Sequence, residues 1–252
     1  MPLTSLAILI VVFFLTTIVG VVTGSNSLIT VPVMFQFGID EKVAVATNMF
    51  GLTFMAIGAT IPFLRQGSID ARKLSPLILV TIVGSALGAV LVGLITNQAI
   101  KIIVSVAMIV VVVFTLLRRN GKTTNDGGTA RPITISWFVL LLTFLLAIYG
   151  GLYSGGYVTV LTTVFIAFAG MTYTGSIAAT KLINVFSSGI ATLVFMWQRL
   201  VDYKLGIILA VTMFVGAYVG AHYATKLNEI WLRRIFLATV FLLAIKTLSD
   251  LI

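Results

Sequence analysis

The stretch Gly20-Val-Val-Thr-Gly24-Ser25-Asn26-Ser27 interrupts an apolar run that extends from about residue 4 to 38. A second stretch, Gly151-Leu-Tyr-Ser-Gly155-Gly156-Tyr157-Val158, interrupts another run over 134–169. Each run is about 35 residues long, whereas a membrane-spanning helix needs ~20. Unpaired backbone is costly in hydrocarbon, so a break at this depth is tolerated only where protein or a cavity surrounds it. A break also creates a new helix N-terminus, whose free N–H groups and positive dipole end attract anions. Two breaks at corresponding places point to a transport site. Close packing through small residues accounts for the glycines. It does not account for Asn26 and Ser27 beside them.

The remainder of the chain suits a bilayer. Of 252 residues, 60% are hydrophobic and only 9% are charged, with a mean hydropathy of +1.17. Soluble domains carry about 25% charged residues. There is no cysteine, which excludes disulfides, zinc–thiolate sites and iron–sulfur clusters. The single histidine, His222, excludes a multi-histidine metal site. No cofactor is expected. The net charge of +9 sits at helix ends, where it reads as a topology signal and not as a nucleic-acid surface. The opening run MPLTSLAILIVVFFLTTIVG lacks a basic leader and a small-residue cleavage site, so it reads as a retained span.

Polar breaks divide the chain into eight expected membrane segments, at about 4–38, 43–64, 74–95, 98–117, 134–169, 173–197, 204–226 and 230–250. The fold class is thus an all-α polytopic membrane protein. The one long polar stretch, RRNGKTTNDGGTARP from Arg118 to Pro132, is rich in glycine, threonine and charge and reads as a flexible linker. It separates a first membrane repeat over 1–118 from a second over 133–252, with a cytoplasmic linker over 119–132. Landmarks recur across it at an offset near 132 residues. Ala46-Thr47-Asn48 is followed by Ala179-Thr180-Lys181. Gln66-Gly67-Ser68-Ile69-Asp70 is followed by Arg199-Leu200-Val201-Asp202, and Gly84 with Gly88 by Gly216 with Gly220. This is the signature of a duplicated four-segment unit whose first segment is broken. The glycine pairs read as close-packing positions.

If all eight segments cross, one side holds Arg65, Arg72, Lys73, Arg118, Arg119, Lys122, Arg131, Arg199, Lys204 and Lys246 together with both termini. The other side holds Lys42, Lys101, Lys226, Arg233 and Arg234. That bias predicts cytoplasmic termini in a multi-pass protein of the prokaryotic plasma (inner) membrane, with parallel repeats. This parity fails to hold if the broken segments re-enter.

Lys181 lies eight residues into an apolar run, in IAATKLINVFSSG. A lysine deep in a span costs about 2.5–3.5 kcal/mol on insertion scales. No acidic residue lies within a span, so a bound anion is its natural counter-charge; snorkelling to the interface is the competing reading. Asn48 is read as its repeat mate, and Asn184 lies one turn beyond it on the same face. The expected substrate-binding set is Gly24, Ser25, Asn26, Ser27, Thr47, Asn48, Ser154, Gly155, Gly156, Tyr157, Thr180, Lys181 and Asn184. No catalytic or metal residue is expected. The expected partners are a small anion and the lipid bilayer, with no nucleic acid; the oligomeric state is open, a homodimer included.

In these residues the chain resembles the TauE/SafE family of membrane permeases, described as sulfite or sulfonate exporters. The resemblance rests on Gly24-Ser25-Asn26-Ser27, Val31-Pro32, Val45-Ala46-Thr47, Gly67 with Asp70, and Gly84 with Gly88 in the first half. In the second half it rests on Gly155-Gly156, Ala179-Thr180-Lys181, Asp202, and Gly216 with Gly220. It implies export of a small anion, sulfite or an organosulfonate. The first break departs from the family's glycine run, and Leu200 stands where glycine is common. Other small anions such as sulfate or a carboxylate remain alternatives. A rival class is an intramembrane serine hydrolase using Ser154 and His222 as nucleophile and base. A cation carrier is opposed by the lack of carboxylates in the spans.

Overall fold

The computed structural model describes residues 2–24, 26–65, 71–117 and 134–223. Ser25, the linker, Gly67, Asp70 and the segment expected over 230–250 lie outside the described residues. Nine helices cover the rest: α1 (Leu3–Thr23), α2 (Ser27–Gln36), α3 (Glu41–Arg65), α4 (Ala71–Leu94), α5 (Asn97–Leu117), α6 (Trp137–Leu152), α7 (Tyr157–Phe168), α8 (Tyr173–Trp197) and α9 (Tyr203–Tyr223). A helix satisfies its own backbone, which hydrocarbon requires. Helices α1, α3, α4, α8 and α9 are long and apolar enough to cross a bilayer. Leu79, Val110, Leu193 and Val211 stand exposed on the outer faces of α4, α5, α8 and α9, as lipid-facing side chains do.

Element ends repeat at one spacing. Helices α3 and α8 begin 132 residues apart, and each is 25 residues long. Gly24 and Gly156, at φ 78° and 83°, sit in the two breaks. Gly38 and Gly170, at φ 73° and 70°, sit in the turns that follow. Both pairs are also 132 residues apart, and glycine enters this left-handed region without the steric cost of a Cβ.

The sequence predicts that each broken segment crosses the membrane, which sets the 38–42 loop opposite the 199–204 loop. The structure puts them on one face. Lys42 Nζ donates to Gly93 O at 3.2 Å. Gln198 Nε2 donates to Ala89 O at 3.4 Å and Val90 O at 3.3 Å. Asp202 N donates to Thr47 Oγ1 at 3.0 Å. The start of α3, the end of α4, the end of α8 and the start of α9 therefore share a first face. Helix α5 starts there too, with Lys101 Nζ 2.8 Å from Glu41 Oε1. Helices α3 and α8 thus run in opposite directions.

Both broken segments are re-entrant hairpins. Helix α9 runs beside α3 in the same sense, with Gly206 against Thr47 and Phe50, and Gly58 against Phe214. Helix α1 runs with α9, meeting Gly216 at Phe14 and Gly220 at Ile18. It therefore starts on the first face, and α2 returns the chain there. On the second face, where α3 ends and α4 starts, Thr134 N donates to Ala169 O at 3.2 Å and ties the ends of the other broken segment together. Helix α6 runs with α4, with Ala147 at Gly84 and Ile148 at Gly88. The physical reason lies in the second limbs. Helices α2 and α7 have 10 and 12 residues. At 1.5 Å per residue they reach only about 15–18 Å, short of the ~30 Å core.

The G-x-x-x-G pairs seat these hairpins. A Cβ at Gly88 would fall on the carbonyl of Ile148 and 2.8 Å from the amide of Leu152. Gly88→Val is expected to cost more than about 3 kcal/mol by overpacking backbone, seen as loss of a monodisperse peak after detergent extraction. The topology is checked by single cysteines in this cysteine-free chain: Thr4→Cys and Lys204→Cys will react with an impermeant maleimide from one side, and Arg72→Cys from the other.

Candidate functional site

The two breaks meet. Helix α1 ends where Gly24 turns left-handed and donates its N–H to Gly20 O at 2.8 Å. Helix α6 ends at Leu152, Tyr153 runs extended, and Gly156 turns the chain into α7. Between them Ser27 Oγ and Ser154 Oγ form a 2.7 Å hydrogen bond. Tyr153 OH donates to Ser27 O at 2.9 Å. A Cβ on Gly24 would lie 3.1 Å from Val158 Cγ1 and 3.2 Å from Thr159 N, so the first break packs on the opening turn of α7.

Flanking helices brace each break. Asn48 Nδ2 donates to Ser27 Oγ at 2.9 Å, and Asn48 Oδ1 accepts from Thr30 Oγ1 at 2.7 Å. In the other half, Thr162 and Thr180 join their hydroxyls at 3.2 Å. Each brace joins residues 18 apart, which places Thr180 at the position of Asn48. Lys181 then corresponds to Met49, a correction of one residue to the expected Asn48–Lys181 pairing. Thr47 is not at the break: its hydroxyl accepts from Asp202 N and anchors the start of α9.

Four expected site residues, Asn26, Tyr157, Lys181 and Asn184, keep unused polar capacity. Asn26 occupies the position before α2, but its side chain does not cap the helix. It is 3% exposed, and neither Oδ1 nor Nδ2 has a partner. Leaving a buried polar group unpaired costs about 1–3 kcal/mol. Lys181 is 4% exposed, so it does not snorkel; its Nζ donates to Gly20 O at 3.5 Å, the outer limit of a hydrogen bond. Asn26 lies against the same residue, 2.9 Å from where a Cβ of Gly20 would stand. Among the described residues the carboxylates are Asp40, Glu41 and Asp202. Asp40 and Asp202 cap helix starts, and Glu41 pairs with Lys101. None neutralises Lys181. Asn184 Oδ1, one turn further along α8, is also buried and unpartnered.

Ser27, Asn48, Ser154 and Thr180 are committed to bonds within the protein, and Gly24, Gly155 and Gly156 shape the turns. Tyr157 is fully buried, with its ring against Gly150. Sequence reasoning missed Thr30, Tyr149 and Tyr153. Tyr149 holds Gly155 O through its hydroxyl. Thr30 had a legible signal, its recurrence at Thr162; the tyrosines looked like ordinary span aromatics. Ser154 does not face a histidine: its hydroxyl bonds Ser27, while His222 is exposed at the end of α9.

Comparison with known proteins agrees with a transporter. The chain is 26% identical over 245 residues to the probable membrane transporter protein ORF9 of Sinorhizobium sp, covering 97% of this chain and 93% of that protein. It is 23% identical to a probable membrane transporter protein of Haemophilus influenzae, covering 97% and 95%. It is 25% identical to the probable membrane transporter protein YfcA of Escherichia coli, covering 95% and 89%. No solved structure matches. The sequence profile described as sulfite exporter TauE/SafE matches residues 8–247, and the chain belongs to that family of multi-pass membrane transporters.

Proposed function

We propose that the protein carries a small oxyanion, sulfite or an organosulfonate, held between the Lys181 ammonium and the Asn26 amide where the two breaks meet. The observation that carries this reading is a buried lysine with one marginal hydrogen bond, to Gly20 O, and a buried amide with none on Asn26, whose Cβ lies against the same glycine. A desolvated cation demands a counter-charge, and no described carboxylate supplies it. An oxyanion accepts from both groups, and the free N–H groups opening α2 add positive potential. The family description supports sulfite chemistry.

The shared spacing and opposite directions of α3 and α8 support two inverted four-segment units with the site at their junction, an arrangement suited to alternating access. Outward movement needs no coupling ion, because each negative charge leaving a negative interior gains about 2.3 kcal/mol per 100 mV. Re-entry also alters the orientation. The second face gathers Arg65, Arg72 and Lys73, and in chain order Arg118, Arg119, Lys122 and Arg131 fall between α5, which starts on the first face, and α6, which starts on the second. The first face holds Lys42, Lys101, Arg199 and Lys204. The positive-inside bias then makes the second face cytoplasmic and starts α1 outside, the reverse of the orientation expected from eight crossings. Labelling of Thr4→Cys in intact cells tests it; protection of that cysteine until the cells are opened would reverse it.

Purified protein in liposomes, assayed with sulfite, sulfoacetate, sulfate, thiosulfate and acetate, is expected to move sulfite or the sulfonate fastest. Lys181→Met keeps the volume of the side chain and removes its charge; flux is expected to fall at least about tenfold, the effect of ~1.4 kcal/mol, with the protein still monodisperse. Undiminished flux removes Lys181 from the site. Ser154→Ala loses one hydrogen bond and is expected to retain flux within about fivefold of the parent. Complete loss, with labelling of Ser154 by a fluorophosphonate, would favour hydrolysis instead.

A further inference from the structure

Beyond the Lys181 site, helix α8 carries a row of polar residues one turn apart: Lys181, Asn184 and Ser187. Positions three apart on a helix are neighbours, and such a row winds slowly round the axis. Here it passes from the side that meets α1, where Lys181 reaches Gly20, to the side that meets α4, where Ser187 Oγ bonds Ser85 Oγ at 2.7 Å. At its far end the Tyr157 hydroxyl reaches toward those of Thr81 and Ser187. Tyr157 and Thr81 are fully buried, yet no direct hydrogen bond satisfies either hydroxyl. Asn184 Oδ1 is unsatisfied as well.

Packing does not require these groups. At the 132-residue spacing, Thr81, Ser85 and Ser187 correspond to Met213, Ala217 and Met55. The other half makes the same crossing with apolar side chains. A crossing of α4 and α8 that is polar where its counterpart is apolar, and that leaves the Tyr157 and Thr81 hydroxyls unpaired, answers to something other than the fold.

We propose that Tyr157, Thr81 and Asn184 form a second, uncharged binding station for the transported oxyanion, between Lys181 and the face at which α8 ends. This rests on the oxyanion reading of the Lys181 site. Hydroxyl and amide groups can all turn an N–H or O–H toward an acceptor-only ligand. Lacking a formal charge, the station holds the anion more weakly than the ammonium does. A strong site followed by a weak one lets an ion enter and also leave.

The test compares sulfite counterflow in proteoliposomes with sulfite binding to purified protein by calorimetry, in the parent, Tyr157→Phe, Thr81→Val, Thr81→Ser and Ser105→Ala. Tyr157→Phe and Thr81→Val keep shape and remove a donor. Each is expected to slow counterflow by about tenfold while affinity, set at Lys181, changes less than about threefold. Thr81→Ser restores the donor and is expected to restore the rate, a rescue that a merely structural role in filling space would not give. Ser105→Ala, a buried hydroxyl on α5, leaves both readouts unchanged. Counterflow at the parent rate in Thr81→Val overturns the station even if Tyr157→Phe does not fold, and leaves the Lys181 site standing. A parent that neither binds nor moves sulfite overturns the oxyanion reading and this one with it.

Discussion

Backbone that is not hydrogen-bonded cannot face lipid, and this chain contains two places where a helical membrane segment is interrupted. The whole arrangement follows from where those interruptions find shelter. Each is covered by the other: Ser27 bonds Ser154, Tyr153 bonds Ser27 O, and Gly24 lies on the first turn of α7. The flanking helices then close round the pair, with Asn48 and Thr180 as cross-braces. The glycines on α4 and α9 bring the long limbs of the hairpins within backbone contact, so each half buries the other's interruption.

That mutual cover leaves a specific residue of unmet polarity. Most hydroxyls at the junction are consumed by the fold. Among the described residues, what remains there includes the Lys181 cation, the Asn26 and Asn184 amides and the Tyr157 and Thr81 hydroxyls, all buried, with no described carboxylate beside them. Net positive potential without an internal counter-charge is a poor arrangement for stability and a good one for admitting an acceptor-rich anion. The uneven distribution matters as much as the content. Lys181 faces no second lysine from the other half, because Met49 stands at the equivalent position. Two ammonium groups at one junction would repel each other and bind an anion too tightly for release.

Re-entry changes the meaning of the charged loops. A hairpin does not advance the chain across the bilayer, so the helices after it exchange their direction relative to a crossing segment. Arg65, Arg72 and Lys73 then fall on the face opposite the start of α1. Transport proteins with two oppositely directed units around one site can expose it to either side by moving one unit against the other. Two hydrogen bonds, Ser27 Oγ with Ser154 Oγ and Tyr153 OH to Ser27 O, hold the hairpin tips together.

The amino-acid sequence alone determined the solvent this protein lives in, where the described helices lie, the places where two helices break and the family to which it belongs. These are local properties: runs of apolar residues, glycine at left-handed turns and order along the chain. It also singled out Lys181 and Asn26, because a charge or an amide inside an apolar run is conspicuous without knowing its neighbours. Only the tertiary structure decided whether a broken segment crosses or returns, since Thr134 and Ala169 are joined by one bond between residues far apart in sequence. Only it decided that Thr47 serves the start of α9, that Asn48 is spent as a brace and that Asn26 is not. Which polar group is consumed and which is left over depends on the partners that packing brings to it, and one-dimensional pattern carries no record of that.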